Sequence, residues 1–264
     1  MPFAQIGDLQ ARYELTGESG PVLVFSNSLG TNFSMWDPQL AELGRNFRIL
    51  RYDTRGHGQS SVTAGDYTIE QLGCDVLALL DHLQLQRVHF CGLSMGGVIG
   101  LWLGVHAPDR LHKLVLSNTA VKIGTAEMWD IRIATVRKDG MKQVAAAVIQ
   151  RWFTPEFRAT SSDQVAWAQA ILEASPPAGY AACCAAIRDV DLRDAVSEIK
   201  VPTLVIGGSK DPVTPVADAQ YLIERIPGSV LVELNAAHLS NVEQAKAFTN
   251  AVGDFLSGKG MHNG

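Results

Sequence analysis

The chain has 264 residues, 47% of them hydrophobic and 19% charged, which is enough apolar material for a core with an insertion and too little charge for disorder. Lys and Arg number 22 against 27 Asp and Glu, a net −5 with histidine neutral; no long basic run occurs, which argues against nucleic-acid binding. No stretch of ~18 apolar residues reads as a membrane span, and the start at Met1–Asp8 lacks the basic and apolar regions of a secretory signal, so a cytoplasmic protein is expected. Cys74, Cys91, Cys183 and Cys184 have no C-x-x-C spacing and read as reduced, mostly packed thiols.

In chain order, Val22–Phe25 is the first buried-strand signal and Arg48–Tyr52 the second. Thr68-Ile69-Glu70-Gln71 has the spacing of a capping box and opens a helix whose apolar side is Val76, Leu77, Leu79, Leu80 and Leu83. Val88–Cys91 is the next strand, followed at once by a helix over Met95–His106, and then Leu114–Leu116 is another strand. This alternation implies an α/β fold, a mostly parallel central sheet with helices on both faces. From about Lys122 to Val190 the strand signals stop, and helical patterns are broken at Gly140, Pro155 and Pro176-Pro177. We expect a helical lid over residues 122–190 inserted into a core of residues 1–121 and 191–264. Strands resume at Thr203–Ile206 and Val230–Leu234, with a last helix over Val242–Leu256. The Gly-rich tail from Gly258 to Gly264 is expected to be mobile.

Gly92-Leu93-Ser94-Met95-Gly96 fits G-x-S-x-G at a strand–helix junction. A serine there sits on a tight turn that projects its hydroxyl above the sheet, and the flanking glycines let neighbouring backbone approach. The plainer reading, a strand–helix turn with glycines for packing, does not require the serine. An acid and a base follow such a nucleophile in chain order. Asp211 lies just after the Thr203–Ile206 strand in Gly207-Gly208-Ser209-Lys210-Asp211-Pro212, and His238 follows the last strand in Asn235-Ala236-Ala237-His238. His238 is expected to take the Ser94 proton, with Asp211 fixing its tautomer. Asp189, Asp191 and Asp194 are the alternatives if the acid lies on an earlier loop. His57 precedes the serine, which argues against it as base; His89 reads as a packed strand residue, and His82, His106 and His112 as helix or helix-end residues. The developing oxyanion needs donors, and the backbone N–H groups of Met95 and Leu29 are the candidates. No His/Cys/Asp cluster has metal-ligand spacing, so no metal or organic cofactor is expected.

Asp53-Thr54-Arg55-Gly56-His57-Gly58-Gln59-Ser60 resembles the D-x-R-G-x-G-x-S turn of lidded α/β-hydrolases, and with Gly92–Gly96, Asp211 and His238 the resemblance spans nearly the whole chain. Within that superfamily the sequence is most similar to the 3-oxoadipate enol-lactonases, through Ser26–Thr31, Tyr52–Gly58, Gly92–Gly97 and Arg151-Trp152-Phe153-Thr154-Pro155. Asn27-Ser28 stands where His-Gly is usual in the wider superfamily, a departure shared with enol-lactonases. The resemblance implies hydrolysis of an enol-lactone to 3-oxoadipate in aromatic catabolism, on a small-molecule lactone that carries a free carboxylate. A pocket for that carboxylate needs a cation; among the lid cations Arg132, Arg137, Lys138, Lys142, Arg151 and Arg158, the candidate is Arg132, one helical turn from Trp129. Trp129 and Trp152 are candidate substrate-binding residues, or plain lid core. The same machinery serves a carboxylesterase, a carbon–carbon bond hydrolase or a perhydrolase, and a slow-turnover receptor of this fold is a reading of another class. Oligomeric state is not legible.

Overall fold

The computed structural model describes residues 2–258, so residues 259–264 of the tail expected to be mobile lie outside the described residues. Eight strands form one sheet: β1 (Phe3–Ile6), β2 (Leu9–Thr16), β3 (Val22–Ser26), β4 (Arg48–Tyr52), β5 (Val88–Leu93), β6 (Leu111–Ser117), β7 (Thr203–Gly208) and β8 (Val230–Leu234). Their order is β1-β2-β4-β3-β5-β6-β7-β8. β2 pairs antiparallel with β1 and β4, and all other pairings are parallel. β3, β5 and β7 are buried at every position. Successive side chains point to opposite faces of a strand, so continuous burial requires cover on both faces, and continuous apolar runs are the result.

The helices are α1 (Asp37–Leu43), α2 (Ile69–His82), α3 (Met95–His106), α4 (Ala126–Asp139), α5 (Met141–Trp152), α6 (Pro155–Thr160), α7 (Ser162–Ala174), α8 (Pro177–Asp189), α9 (Val216–Arg225), α10 (Ser240–Glu243) and α11 (Ala245–Ser257). Thr68 caps α2 as its spacing predicts, its hydroxyl accepting from the Gln71 amide at 3.0 Å. α3 is apolar nearly all round because it packs on β3, β5 and β6 and under α2. Between β6 and β7 the chain is helical, with α4 against α5 and α8, and α5 against α7.

The structure departs from the sequence reading in several places. The β1–β2 hairpin, α1 and α9 are additional. The last helix is two, because Gln244 leaves helical geometry at φ −121°, ψ 48°. His112 lies in β6 rather than at a helix end.

The parallel strands end level with one another. Ser26 pairs with Gly92, Leu93 with Ser117, Ser117 with Ile206, and Gly208 with Leu234. The loops that follow β3, β5, β6, β7 and β8 therefore converge on one edge of the sheet, where open α/β sheets hold their ligands.

Candidate active site

Ser94 stands between β5 and α3 with φ 57° and ψ −116°, a conformation a non-glycine residue adopts only at a cost of about 1–3 kcal/mol. The turn closes because its neighbours are small. A Cβ on Gly92 would lie 2.0 Å from the Gly96 carbonyl oxygen, and one on Gly96 would lie 2.1 Å from the Ser26 carbonyl oxygen. The Ser94 backbone is held on both sides: its amide donates to the Ser117 carbonyl at 2.9 Å, and its carbonyl accepts from the Thr119 hydroxyl at 2.8 Å.

Asp211 and His238 meet on the loops after β7 and β8. His238 Nδ1 is 2.8 Å from Asp211 Oδ2, with both side chains buried. The same carboxylate oxygen accepts from Asn118 Nδ2 at 2.9 Å and from the Thr214 hydroxyl at 2.7 Å, while Oδ1 accepts from the amides of Val213 (2.7 Å) and Thr214 (3.2 Å). Burial alone would raise the Asp211 pKa; the His238 charge and the hydrogen bonds from His238, Asn118 and Thr214 outweigh it and hold the group below its usual value. Asp211 is thus an ionised acceptor facing the imidazole. Asp189 and Asp191 pair instead with Arg188 and Arg193, and Asp194 is exposed.

The His238 loop is tied to its surroundings by Glu243, a residue the sequence reading did not single out. Glu243 Oε2 accepts from the Ala237 amide at 3.0 Å and the Thr154 amide at 3.3 Å, and Oε1 accepts from the Thr154 hydroxyl. The Leu239 amide donates to the Trp152 carbonyl at 3.0 Å. The α5–α6 junction is thereby fixed to the loop that carries His238.

Ser94 and His238 line one cavity beneath the helices between β6 and β7. They make no direct hydrogen bond among the described residues; nucleophile–base pairs of this kind commonly tighten when substrate binds. Leu29 and Ser28 also line it, and at this edge the amides of Leu29 and Met95 donate to no acceptor among the described residues. Asn27 secures the Leu29 loop from behind: its side chain donates to the Tyr52 carbonyl (2.8 Å) and accepts from Trp36 Nε1 (2.9 Å), and its own carbonyl accepts from the Gly96 amide (3.0 Å).

Trp129, Trp152, Ile123, Val148, Ile187 and Val213 give the cavity an apolar wall. Against that wall stand Arg132 and Arg151, with the Tyr180 hydroxyl 3.4 Å from Arg132 Nη1. Arg132 also lies over the Trp129 ring at 5.4 Å. Neither arginine forms an ion pair among the described residues, whereas Arg137 pairs with Asp66. Burial lowers the Arg151 pKa, and the Arg132 charge beside it lowers it further; the two half-buried guanidiniums form a cationic corner that favours an anion. The sequence offered several lid cations without the sidedness that selects these two. Among the described residues no His, Cys, Asp and Glu cluster has the makings of a metal site, and no helix is long and apolar enough to cross a membrane.

The α/β hydrolase fold family model matches residues 21–245. The chain is 47% identical over 93% of its length, and 92% of the relative's, to 3-oxoadipate enol-lactonase 2 of Acinetobacter baylyi. It is 39% identical to 3-oxoadipate enol-lactonase 1 of the same organism, over 90% of each chain. The crystal structure of the enol-lactonase from Burkholderia xenovorans LB400 superposes with a TM-score of 0.96 at 45% identity, covering 97% of this chain and 100% of that one. The resemblance read from the motifs is borne out over the whole domain.

Proposed function

The chain belongs to the α/β-hydrolase fold family, and on that premise we propose that it hydrolyses 3-oxoadipate enol-lactone to 3-oxoadipate, a step of bacterial aromatic catabolism, with Ser94, His238 and Asp211 as its catalytic triad. The carrying observation is a cavity lined by a serine on a strained turn, a histidine held by a buried carboxylate, and two arginines that form no ion pair among the described residues.

In this mechanism Ser94 Oγ attacks the lactone carbonyl while His238 Nε2 accepts the hydroxyl proton. Asp211 keeps the other imidazole hydrogen on Nδ1 and stabilises the imidazolium. The amides of Leu29 and Met95 receive the negative charge that develops on the carbonyl oxygen. The carbon–oxygen ring bond then breaks, His238 returns the proton to the departing enol oxygen, and an acyl-enzyme remains. Water, deprotonated by His238, attacks that ester, and the protonated His238 returns the proton to Ser94 Oγ as the carboxylic acid departs. The freed enol tautomerises to a ketone, which draws the reaction forward. No step calls for a metal or organic cofactor. The helices at 122–190 act as the lid over the cavity, with Trp129 and Trp152 against the substrate's carbon skeleton and Arg132 and Arg151 on its free carboxylate.

The test compares kcat/KM for the enol-lactone, a saturated lactone and a simple aryl ester, in the wild type and in Ser94→Ala. The enol-lactone is expected to be the best of the three, and Ser94→Ala to lose on the order of 10⁴–10⁶-fold on every substrate. An aryl ester turned over faster than the enol-lactone would defeat the substrate assignment.

A further inference from the structure

The Leu29 amide belongs to a loop in which three successive peptides are each held by a different side chain. Thr31 donates to the Ser28 carbonyl from its amide at 3.2 Å and from its hydroxyl at 2.7 Å, which fixes the Ser28–Leu29 peptide by its oxygen. That contact closes a four-residue turn with Gly30 at φ +79° and no positive φ at Leu29, the signature of type II. The central peptide of such a turn is flipped relative to type I, and here it is held by its N–H: the Gly30 amide donates to His57 Nε2 at 2.9 Å. The third peptide is held by its oxygen, as the Gly30 carbonyl accepts from the Ser175 hydroxyl at 3.2 Å, between α7 and α8. Nothing larger than glycine fits, since a Cβ on Gly30 would come 2.5 Å from Leu172 and 3.0 Å from Tyr180.

His57 comes from the Asp53–Ser60 turn after β4 and is fully buried. A histidine that only filled space would need no acceptor aimed at this one amide. Its Nδ1 faces the Arg55 carbonyl at 3.4 Å and the Cys183 thiol at 3.8 Å. Acceptance at Nε2 selects the neutral tautomer with its hydrogen on Nδ1. Burial pushes the His57 pKa down to about 4, so the ring remains an acceptor at neutral pH.

We propose that His57 is a positioning residue for the oxyanion hole: by accepting the Gly30 N–H it holds the peptide after Leu29, as Thr31 holds the peptide before it, and the two together keep the Leu29 N–H aimed at the oxygen of the attacked carbonyl. This rests on the serine-hydrolase reading above. Without the acceptor, the Gly30 N–H is a buried donor lacking a partner, and the loop must move to satisfy it. Leu29 is then held on its Ser28 side alone, and its N–H drifts from the line to the substrate oxygen. The carbonyl oxygen carries full negative charge only near the tetrahedral state, so the loss falls on kcat and not on ground-state binding.

The experiment compares His57→Phe, which removes the acceptor, with His57→Gln, whose amide oxygen restores one at similar reach. Each is checked for folding by circular dichroism and assayed on an aryl ester. Two ketone inhibitors are added, a trifluoromethyl ketone that forms a tetrahedral adduct with a serine and its unreactive methyl ketone counterpart. Removal of a whole oxyanion donor costs about 10²–10³-fold in kcat, so a misaimed one is expected to cost about 10–100-fold in His57→Phe, with KM within about threefold. Affinity for the trifluoromethyl ketone is expected to fall in parallel, affinity for the methyl ketone to hold, and His57→Gln to regain most of kcat. Where His57→Phe does not fold, Ser175→Ala, which frees the Gly30 carbonyl, is read instead for the same loss confined to kcat. Wild-type kcat and trifluoromethyl ketone affinity in the folded variant, or no recovery with glutamine, overturns the proposal. Ser94→Ala, run alongside, separates the two failures: an active Ser94→Ala sinks the serine-hydrolase reading, whereas an inactive one beside a fully active His57→Phe sinks only the role of His57.

Discussion

Asp211 Oδ2 receives three donors, His238, Asn118 and Thr214, and this crowding decides what a single substitution does there. In Asp211→Asn one of the two side-chain atoms becomes a donor. If it faces His238 the imidazole must carry its hydrogen on the wrong nitrogen, and if it faces away it meets the amides of Val213 and Thr214. The variant is expected to lose about 10⁴-fold in kcat, by analogy with other serine triads, while keeping its fold. Steady-state kinetics at neutral pH check this, and a loss under tenfold would assign the acid elsewhere. Ser94, Asp211 and His238 were legible because each follows a strand with little intervening chain. Asn118 and Glu243 were not, since their contacts to Asp211 and Thr154 join residues 93 and 89 positions apart that no local spacing encodes; Thr214 lies only three residues after Asp211, and its contact is local. Arg151 was one of several lid cations until the turn of α5 brought it beside Arg132. A second prediction follows from that pair. The free-acid enol-lactone is expected to be preferred to its methyl ester by about ten- to a hundredfold in kcat/KM, the scale of a charge-assisted contact of ~1.5–3 kcal/mol. Arg132→Ala or Arg151→Ala is expected to raise KM for the acid and leave the methyl ester nearly unchanged. Equal rates on acid and methyl ester in the wild type would remove the case for a carboxylate corner.

Elements were legible where local pattern and tertiary fate agree. β3, β5 and β7 are buried on both faces, and their unbroken apolar runs announce it. β2 carries an alternation at Leu9, Ala11, Tyr13 and Leu15 that is weaker because its side chains are mostly half-buried near the sheet's edge. α1 has seven residues, too few to show a helical period, and begins with Pro38 at its first turn. The break at Gln244 between α10 and α11 has no proline or glycine to mark it. The junction it creates is what lets Glu243 reach both the His238 loop and Thr154 at the start of α6. Removing that carboxylate strands the Ala237 and Thr154 amides together. Glu243→Ala is expected to lose about 1.5–3 kcal/mol of stability, equivalent to roughly 3–12 °C in Tm for a chain of this size, and to lower kcat by loosening His238. Thermal unfolding followed by circular dichroism reads the first effect and steady-state kinetics the second. A variant with unchanged Tm and unchanged kcat would mean that the link between α6 and the histidine loop carries no energy.

At the scale of the whole molecule, burial makes two histidines liabilities in acid. His57 and His89 are both buried, and both pKa values are pushed down to about 4 from the ordinary 6.5. For His89 burial is the largest cause, with the charges of His112 and Lys113 adding to it. Its ring packs edge-on to Phe47 and lies 5.4 Å from the His112 ring, and its Nδ1 has no hydrogen-bond partner among the described residues. Between pH 6.5 and 4 the unfolded chain binds protons at these sites that the folded chain refuses. Stability therefore falls as pH falls through that window, by up to about 1.4 kcal/mol per pH unit for each histidine. Buried carboxyls bend the curve the other way. Asp53 and Asp75 are raised by burial, so the folded state takes up their protons first and gains relative stability as pH falls. A wild-type profile alone mixes these effects, and a difference between two proteins isolates one. His89 is the second residue of β5, at the end of the strand away from Ser94, which makes it the histidine to change without touching the chemistry. His89→Leu is expected to match the wild type within about 1 kcal/mol at pH 7.5 and to be more stable by up to about 2 kcal/mol at pH 5. Urea unfolding midpoints across pH 4.5–7.5 supply the comparison. Parallel curves for the two proteins would show that His89 takes up its proton as readily folded as unfolded, and would move the origin of any acid sensitivity to His57 or to the carboxylates.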